Sequence, residues 1–328
     1  MSNPFPILHI GTALGPWTAF RDRFASYRDS SPLIESIYEA GSIPGIEAVD
    51  VSRGYLPEDL TAVKRALAEN KLVVSAVGTA LSKDPRTRRG TFSSEDPQVR
   101  RLTIGIVKEC MDIAAELGSD KVLLWFGQDG YDYHFEMDYQ IRWDRLVEGL
   151  RESASHRRDV RICIEYKARE PKIHQLVNSA ATALLLIDEA AQENIGVLFD
   201  IGHAMLADEM LAETAALLAR KGKLWHVHLN DNYFHADTDL IPGAVHIPMM
   251  VELFYWLRRL GYEGYMCYDT VALIHDPKAV ITECVRFTKA MIAAADRIDR
   301  EQLEEAFTTS DAPAGLGLFR EALFGDEY

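Results

Sequence analysis

Glu165 in VRICIEYK, Asp200 in IGVLFDIGH, His228 in LWHVHLND and Asp269 in GYMCYDT each stand where an apolar run gives way to a polar loop. Carboxylates and one imidazole brought to a common point form a ligand set for a hard to borderline divalent cation. A lone aspartate at a strand end more often caps the following helix. Four such positions in series reverse that weighting, so a cation held by Glu165, Asp200, His228 and Asp269 is expected. His226 and His228 are two apart and share a strand face. His228, nearer the carboxyl end, is taken as the ligand, with His226 behind it as a core residue or a support for a carboxylate.

A second group follows closely. His203 lies three residues after Asp200, and the loop LNDNYFHADTDLIPG carries Asp231, Asp237 and Asp239. Beside the first cluster, such a loop can hold a second cation, so that both oxygens of a hydroxy-carbonyl are bound at once. A solvated acidic turn with Asp231 as a cap is the alternative. Trp125, at the end of KVLLW, is the candidate aromatic wall for the apolar face of a sugar, with Trp17 and Phe126 behind it.

The elements that must position these residues are short β-branched runs at 7–10, 46–51, 72–77, 121–126, 160–166, 195–200, 224–229 and 265–268. Amphipathic stretches such as ATALLLIDEAAQEN and MVELFYWLRRLG separate them, with apolar residues recurring at three and four. Eight strand–helix repeats predict an α/β fold, a closed (β/α)8 TIM barrel over residues 1–298 with a C-terminal helical extension over 299–328. In such a barrel the chemistry lies at the carboxyl ends of the strands. Gly118, Asn194 and Gly261 are expected to end helices in the left-handed conformation. The polar stretch 82–97, SKDPRTRRGTFSSEDP, follows the third strand and is expected to be a functional loop at that face. After Asp311 a flexible Gly/Pro hinge is expected, then an amphipathic turn whose Leu318, Phe319, Leu323 and Phe324 dock on the barrel or on a neighbouring subunit.

Composition narrows the partners. A formal charge of −15 repels a phosphate backbone and so argues against nucleic acid, leaving a neutral small molecule such as a sugar. No apolar run approaches the ~20 residues that span a bilayer, so no membrane association is expected. The 4 cysteines are scattered without CxxC pairing, which predicts buried free thiols, a reducing compartment and a cytoplasmic protein.

IEYKAREP, FDIGHA, HVHLNDNYFHADTDLIPGAVH and YDTVALIHDP resemble, in order and spacing, the second half of the xylose-isomerase-like TIM barrels, most closely the bacterial L-rhamnose isomerase type. WFGQDGYDYHFEMDY is similar to the WGG-x-x-GYD loop of xylose isomerases. The resemblance implies that Glu165, Asp200, His228 and Asp269 hold a cation touching substrate oxygens. It also implies that His203, with Asp237, Asp239 or Asp231, holds a second, catalytic cation, with Lys167 beside the substrate carbonyl. Mn²⁺ is the expected ion, with Co²⁺, Mg²⁺ and Zn²⁺ as alternatives. The activity implied is a metal-dependent aldose–ketose isomerase in which Glu165, Lys167, His203 and Asp269 act, and Trp125, Lys167, His203 and Asp231 contact the sugar. A ketose 3-epimerase, and the catalytic subunit of a C-glycoside deglycosidase working with a small partner subunit, are the alternatives within the fold. A homo-oligomer is expected.

Overall fold

The computed structural model describes residues 6–17, 20–21, 25–170 and 173–325. Eight parallel strands form a closed barrel: β1 His9–Ala13, β2 Ala48–Ser52, β3 Val73–Gly78, β4 Lys121–Trp125, β5 Arg161–Glu165, β6 Ile195–Asp200, β7 Leu224–Leu229 and β8 Tyr265–Tyr268. Each pairs with its sequence neighbours, and β1 closes against β8. Strands covered on both faces read as continuous apolar runs, and every residue of β6 is buried.

Register sets the site. Trp125 lies opposite Glu165, and Asp200 opposite His228. The runs 195–200, 224–229 and 265–268 become strands with the expected bounds. The first strand shifts toward the carboxyl end, because Ile7 is exposed and pairing continues instead through Gly11 and Thr12. A side chain at Gly11 would meet Cys267 Sγ at 2.6 Å and the Ala48 carbonyl oxygen at 2.9 Å, so the close approach of β1 to its neighbours requires glycine there.

Capping follows local chemistry. Asp96, Asp138, Asp276 and Asp299 accept backbone N–H bonds at the starts of helices Pro97–Glu116, Tyr139–Ala154, Pro277–Arg297 and Arg300–Thr309. Gly118 and Gly261 have φ of +76° and +71°, as expected for left-handed helix ends. Asn194 does not share that conformation. Ala191 takes it instead at φ +52°, and the Asn194 amide donates to the carbonyls of Ala154, Arg157 and Val160.

Two surface segments are more ordered than the sequence suggests. Within 82–97, Thr87 and the run 91–94 are buried, and Asp129 accepts hydrogen bonds at 2.9 Å from the backbone N–H groups of Thr91 and Ser93, and another from the Thr91 hydroxyl. Phe92 inserts against Phe126, so most of this loop is a fixed wall rather than a free lid. After Asp311 the expected hinge is helical from Ala312 to Phe324, because Asp311 caps it and a proline in the first turn costs no hydrogen bond. Leu318, Phe319 and Leu323 pack on the barrel's own core, and Arg297 donates to the Ala322 carbonyl, while Phe324 stays exposed. Among the described residues no helix is long and apolar enough to cross a membrane.

Candidate metal centre and active site

β5, β6, β7 and the residue after β8 deliver Glu165, Asp200, His228 and Asp269 to one place, with one donor atom from each within 4.8 Å of all the others. Donors on opposite sides of a cation bonded at about 2.0–2.3 Å are at most about 4.6 Å apart, so the group has the size of a coordination sphere. His228 Nδ1 lies 3.5 Å from Glu165 Oε1, 3.6 Å from Asp200 Oδ2 and 3.5 Å from Asp269 Oδ2. This nitrogen is buried and makes no hydrogen bond. Asp200 caps the helix that follows it, its Oδ1 accepting from the His203 backbone N–H at 2.9 Å, while Oδ2 faces the imidazole.

The residue that fixes His228 is Asp50, on the opposite side of the barrel in β2. Its Oδ2 accepts from His226 Nε2 at 2.9 Å and from His228 Nε2 at 3.1 Å, and its Oδ1 accepts from the Ser75 hydroxyl at 2.6 Å. A carboxylate bound to Nε2–H leaves the lone pair on Nδ1, aimed at the cluster. Burial opposes the charge on Asp50, but the two imidazoles hold its carboxyl well below the usual range. His226 is the supporting residue of the pair, fully buried one layer down. Asp50, His226 and Cys267 also place donor atoms within 4.8 Å of one another. Their hydrogen bonds, with Ser75 bridging Asp50 and Cys267 Sγ, account for that group without an ion.

A second group adjoins the first. Lys167 Nζ donates to Asp237 Oδ2 at 2.7 Å, and His203 Nε2 approaches the same oxygen at 3.1 Å. His203 Nδ1 faces back toward Glu165 Oε1 at 3.7 Å. Burial works against the Asp237 charge, yet His203 and Lys167 hold it well below the usual carboxylate range. Asp239 is pushed well above that range by burial and by Asp237, Asp269 and Asp200. Lys167 Nζ also lies 5.3 Å from the centre of the Trp125 ring. A Cβ at residue 127 would sit 2.7 Å from that ring, so Gly127 lets Trp125 fold back over its own loop.

Asp231 departs from its expected contact with substrate. It is fully buried, its Oδ2 accepts from the backbone N–H groups of Gly243, Val245 and His246, and its Oδ1 accepts from Asn232 N–H and meets His246 Nδ1 at 2.7 Å. Both oxygens are spent on holding the loop that carries Asp237 and Asp239. Trp17 and Phe126 are likewise buried, as core residues.

The model of the xylose isomerase-like TIM barrel family matches residues 37–291. The chain belongs to that family. Among curated relatives, the xylose isomerase of Thermus thermophilus is 28% identical over 279 residues, covering 79% of this chain and 72% of the relative. Among solved structures, an L-ribulose 3-epimerase aligns with a TM-score of 0.71 at 19% identity, over 93% of this chain and 99% of that one. A 3-keto-D-glucoside 4-epimerase from E. coli aligns with a TM-score of 0.66 at 17% identity, over 86% of this chain and 99% of that one. These two likenesses show the shared fold.

Enzymes of the xylose isomerase-like barrels generally use divalent metals, and the residues present fit one: an orphaned, buried imidazole nitrogen faces carboxylates at coordination spacing. In this xylose isomerase-like barrel the protonation of the cluster opposes the cation. Burial lowers the His228 pKa, but Asp200, Asp50 and Glu165 outweigh it and raise it well above the ordinary histidine value. Loss of hydration and the surrounding carboxylates push Asp269 up to about 6. A cation held here would therefore displace a proton from His228 near neutrality, and below about pH 6 a second one from Asp269. Affinity for Mn²⁺ is expected to rise about tenfold per pH unit for each proton released. Calorimetry between pH 5.5 and 7.5, in buffers of different ionisation heat, checks this; pH-independent affinity contradicts it.

Proposed function

We propose that the protein is a divalent-cation-dependent enzyme that interconverts an aldose and a ketose. The observation that carries this reading is His228 Nδ1, unpartnered and buried among Glu165, Asp200 and Asp269, with the ammonium of Lys167 beside the neighbouring group. When bound, a cation polarises a substrate carbonyl and lowers the pKa of the adjacent hydroxyl. Mn²⁺ is the first choice, with Co²⁺, Mg²⁺ or Zn²⁺ as alternatives.

The chain's own residues do the rest. Asp269 has a side chain 39% exposed and lines the cavity, which lets its carboxylate meet a substrate hydroxyl, take a proton from one substrate atom and return it to the next. Lys167 brings positive charge to the carbonyl end. Burial opposes protonation of His203, but Asp200 and Asp237 raise its pKa to about 9, so with no second cation beside it His203 carries a proton to offer a substrate oxygen, and a second cation would displace that proton. Trp125 covers the apolar face of the sugar and excludes water. His203 and Asp237, with Asp239 near them, are the residues to hold a second cation of the L-rhamnose isomerase type.

A ketose 3-epimerase is the second reading, favoured by the fold of the L-ribulose 3-epimerase. The shorter reach of Asp269 compared with a glutamate, and the cationic pair of Lys167 and His203, favour holding two adjacent oxygens, as isomerisation requires. We place the protein in the cytoplasm as a homo-oligomer, the former on its buried free thiols.

The test is turnover by chelator-treated protein before and after Mn²⁺ is restored, followed by NMR with aldoses and ketoses. Aldose–ketose exchange that needs the ion is expected. Activity indifferent to chelation, or products that are C3 epimers alone, overturns the reading.

A further inference from the structure

The cavity above the cluster is larger than a single sugar needs. It has a volume of about 720 Å³ and runs across the barrel mouth from His228, Asp269 and Trp125 on one side to residues that follow β2 and β3 on the other. A hexose at interior packing density fills on the order of 200 Å³, so a ring seated at the cation ligands leaves a second compartment open.

That compartment has its own chemistry. Leu33 and Val51 contribute apolar wall, and Tyr55 and Lys83 stand at its rim. Lys83 Nζ lies 3.7 Å from the centre of the Tyr55 ring and donates to the Tyr55 hydroxyl. Among the described residues no carboxylate pairs with Lys83, whereas Arg53 pairs with Glu109 and Lys167 with Asp237. An aromatic ring with apolar neighbours, and an ammonium that donates to its hydroxyl but pairs with no carboxylate among the described residues, suit the face and hydroxyls of a second sugar ring. An anionic substituent fits less well, since the wall is largely apolar and one lysine is its only cation among the described residues that line it.

We infer that the substrate is a sugar bearing a second ring, with its reducing unit at the cation and its other ring on the shelf of Tyr55 and Lys83. The orientation rests on the isomerase reading above; the second compartment does not. Tyr55 and Lys83 are exposed, so replacing them leaves the fold intact.

The experiment compares maltose, cellobiose and lactose with glucose and galactose on wild type, Tyr55→Ala and Lys83→Met, all loaded with Mn²⁺. At least one disaccharide is expected to exceed its monosaccharide about tenfold in kcat/KM, and each substitution to raise KM for that disaccharide about tenfold while monosaccharide kinetics stay unchanged. Equal loss on monosaccharides, no preference for any disaccharide, or a preference for glucose 6-phosphate that Lys83→Met removes would overturn the inference. Binding of maltitol, cellobiitol and lactitol beside sorbitol and galactitol, measured by calorimetry, separates the two claims. If no sugar turns over but a disaccharide alditol still binds more tightly through Tyr55 and Lys83, the isomerase reading fails and the second compartment stands.

Discussion

Glu165→Gln is expected to remove tight cation binding and to lower turnover by at least about a thousandfold, roughly 4 kcal/mol of transition-state stabilisation, while the protein stays folded. The dependence of stability on cation is the informative part. Glu165 repels Asp200 and Asp269 but attracts the His228 imidazole whose pKa it helps raise, so in the cation-free protein the amide trades relieved repulsion against a lost attraction. Without cation the variant should melt close to wild type. With Mn²⁺ at about a hundred times Kd, wild type should gain about 2.7 kcal/mol and the variant almost nothing. Metal content after dialysis, thermal melting with and without Mn²⁺, and kcat on one preparation check all three. A variant that keeps its metal and activity, or that unfolds without cation, contradicts the assignment.

Asp50→Ala is expected to be the costliest change outside the ligand set. It strips the acceptor from His226 and His228 together and leaves two buried imidazoles without their carboxylate, a loss of about 3–5 kcal/mol. The freed His228 ring can then turn, and cation affinity should fall by roughly 10- to 100-fold. Asp50→Asn separates charge from shape. Its oxygen can still accept from both imidazoles while its amide donates to Ser75, so it should cost far less stability than the alanine. Denaturant unfolding of the three proteins, with Mn²⁺ titrations, gives the comparison. An alanine variant as stable as wild type would show that the imidazoles do not depend on Asp50.

These two residues also mark how far the sequence could be read. Glu165 stood out because it ends a strand in a chain whose strand ends repeat the same chemistry. Strand ends and helix periodicity are local signals, which is why β6, β7 and β8 kept their bounds. Asp50 was missed because it sits inside AVDVS, an ordinary-looking apolar run, and its partners come 176 and 178 residues later. A signal existed: two imidazoles on one strand face need a shared acceptor, and an aspartate in the middle of another barrel strand is the place to seek it. Asp231 is hard to place from sequence for a related reason. Its loop reads as acidic and solvated, and only the fold of the backbone from Gly243 to His246 turns its carboxylate inward. Within 82–97 the one large apolar residue, Phe92, was the clue that the polar stretch packs down rather than hanging free.

The most direct test is diffraction from crystals grown with Mn²⁺, using the anomalous signal of the metal to locate it. A strong peak is expected, bonded at about 2.0–2.3 Å to Glu165, Asp200, His228 Nδ1 and Asp269, with His228 Nε2 still against Asp50. No peak among these four side chains, or a metal bound through another residue set with His228 Nδ1 left unbonded, would contradict it.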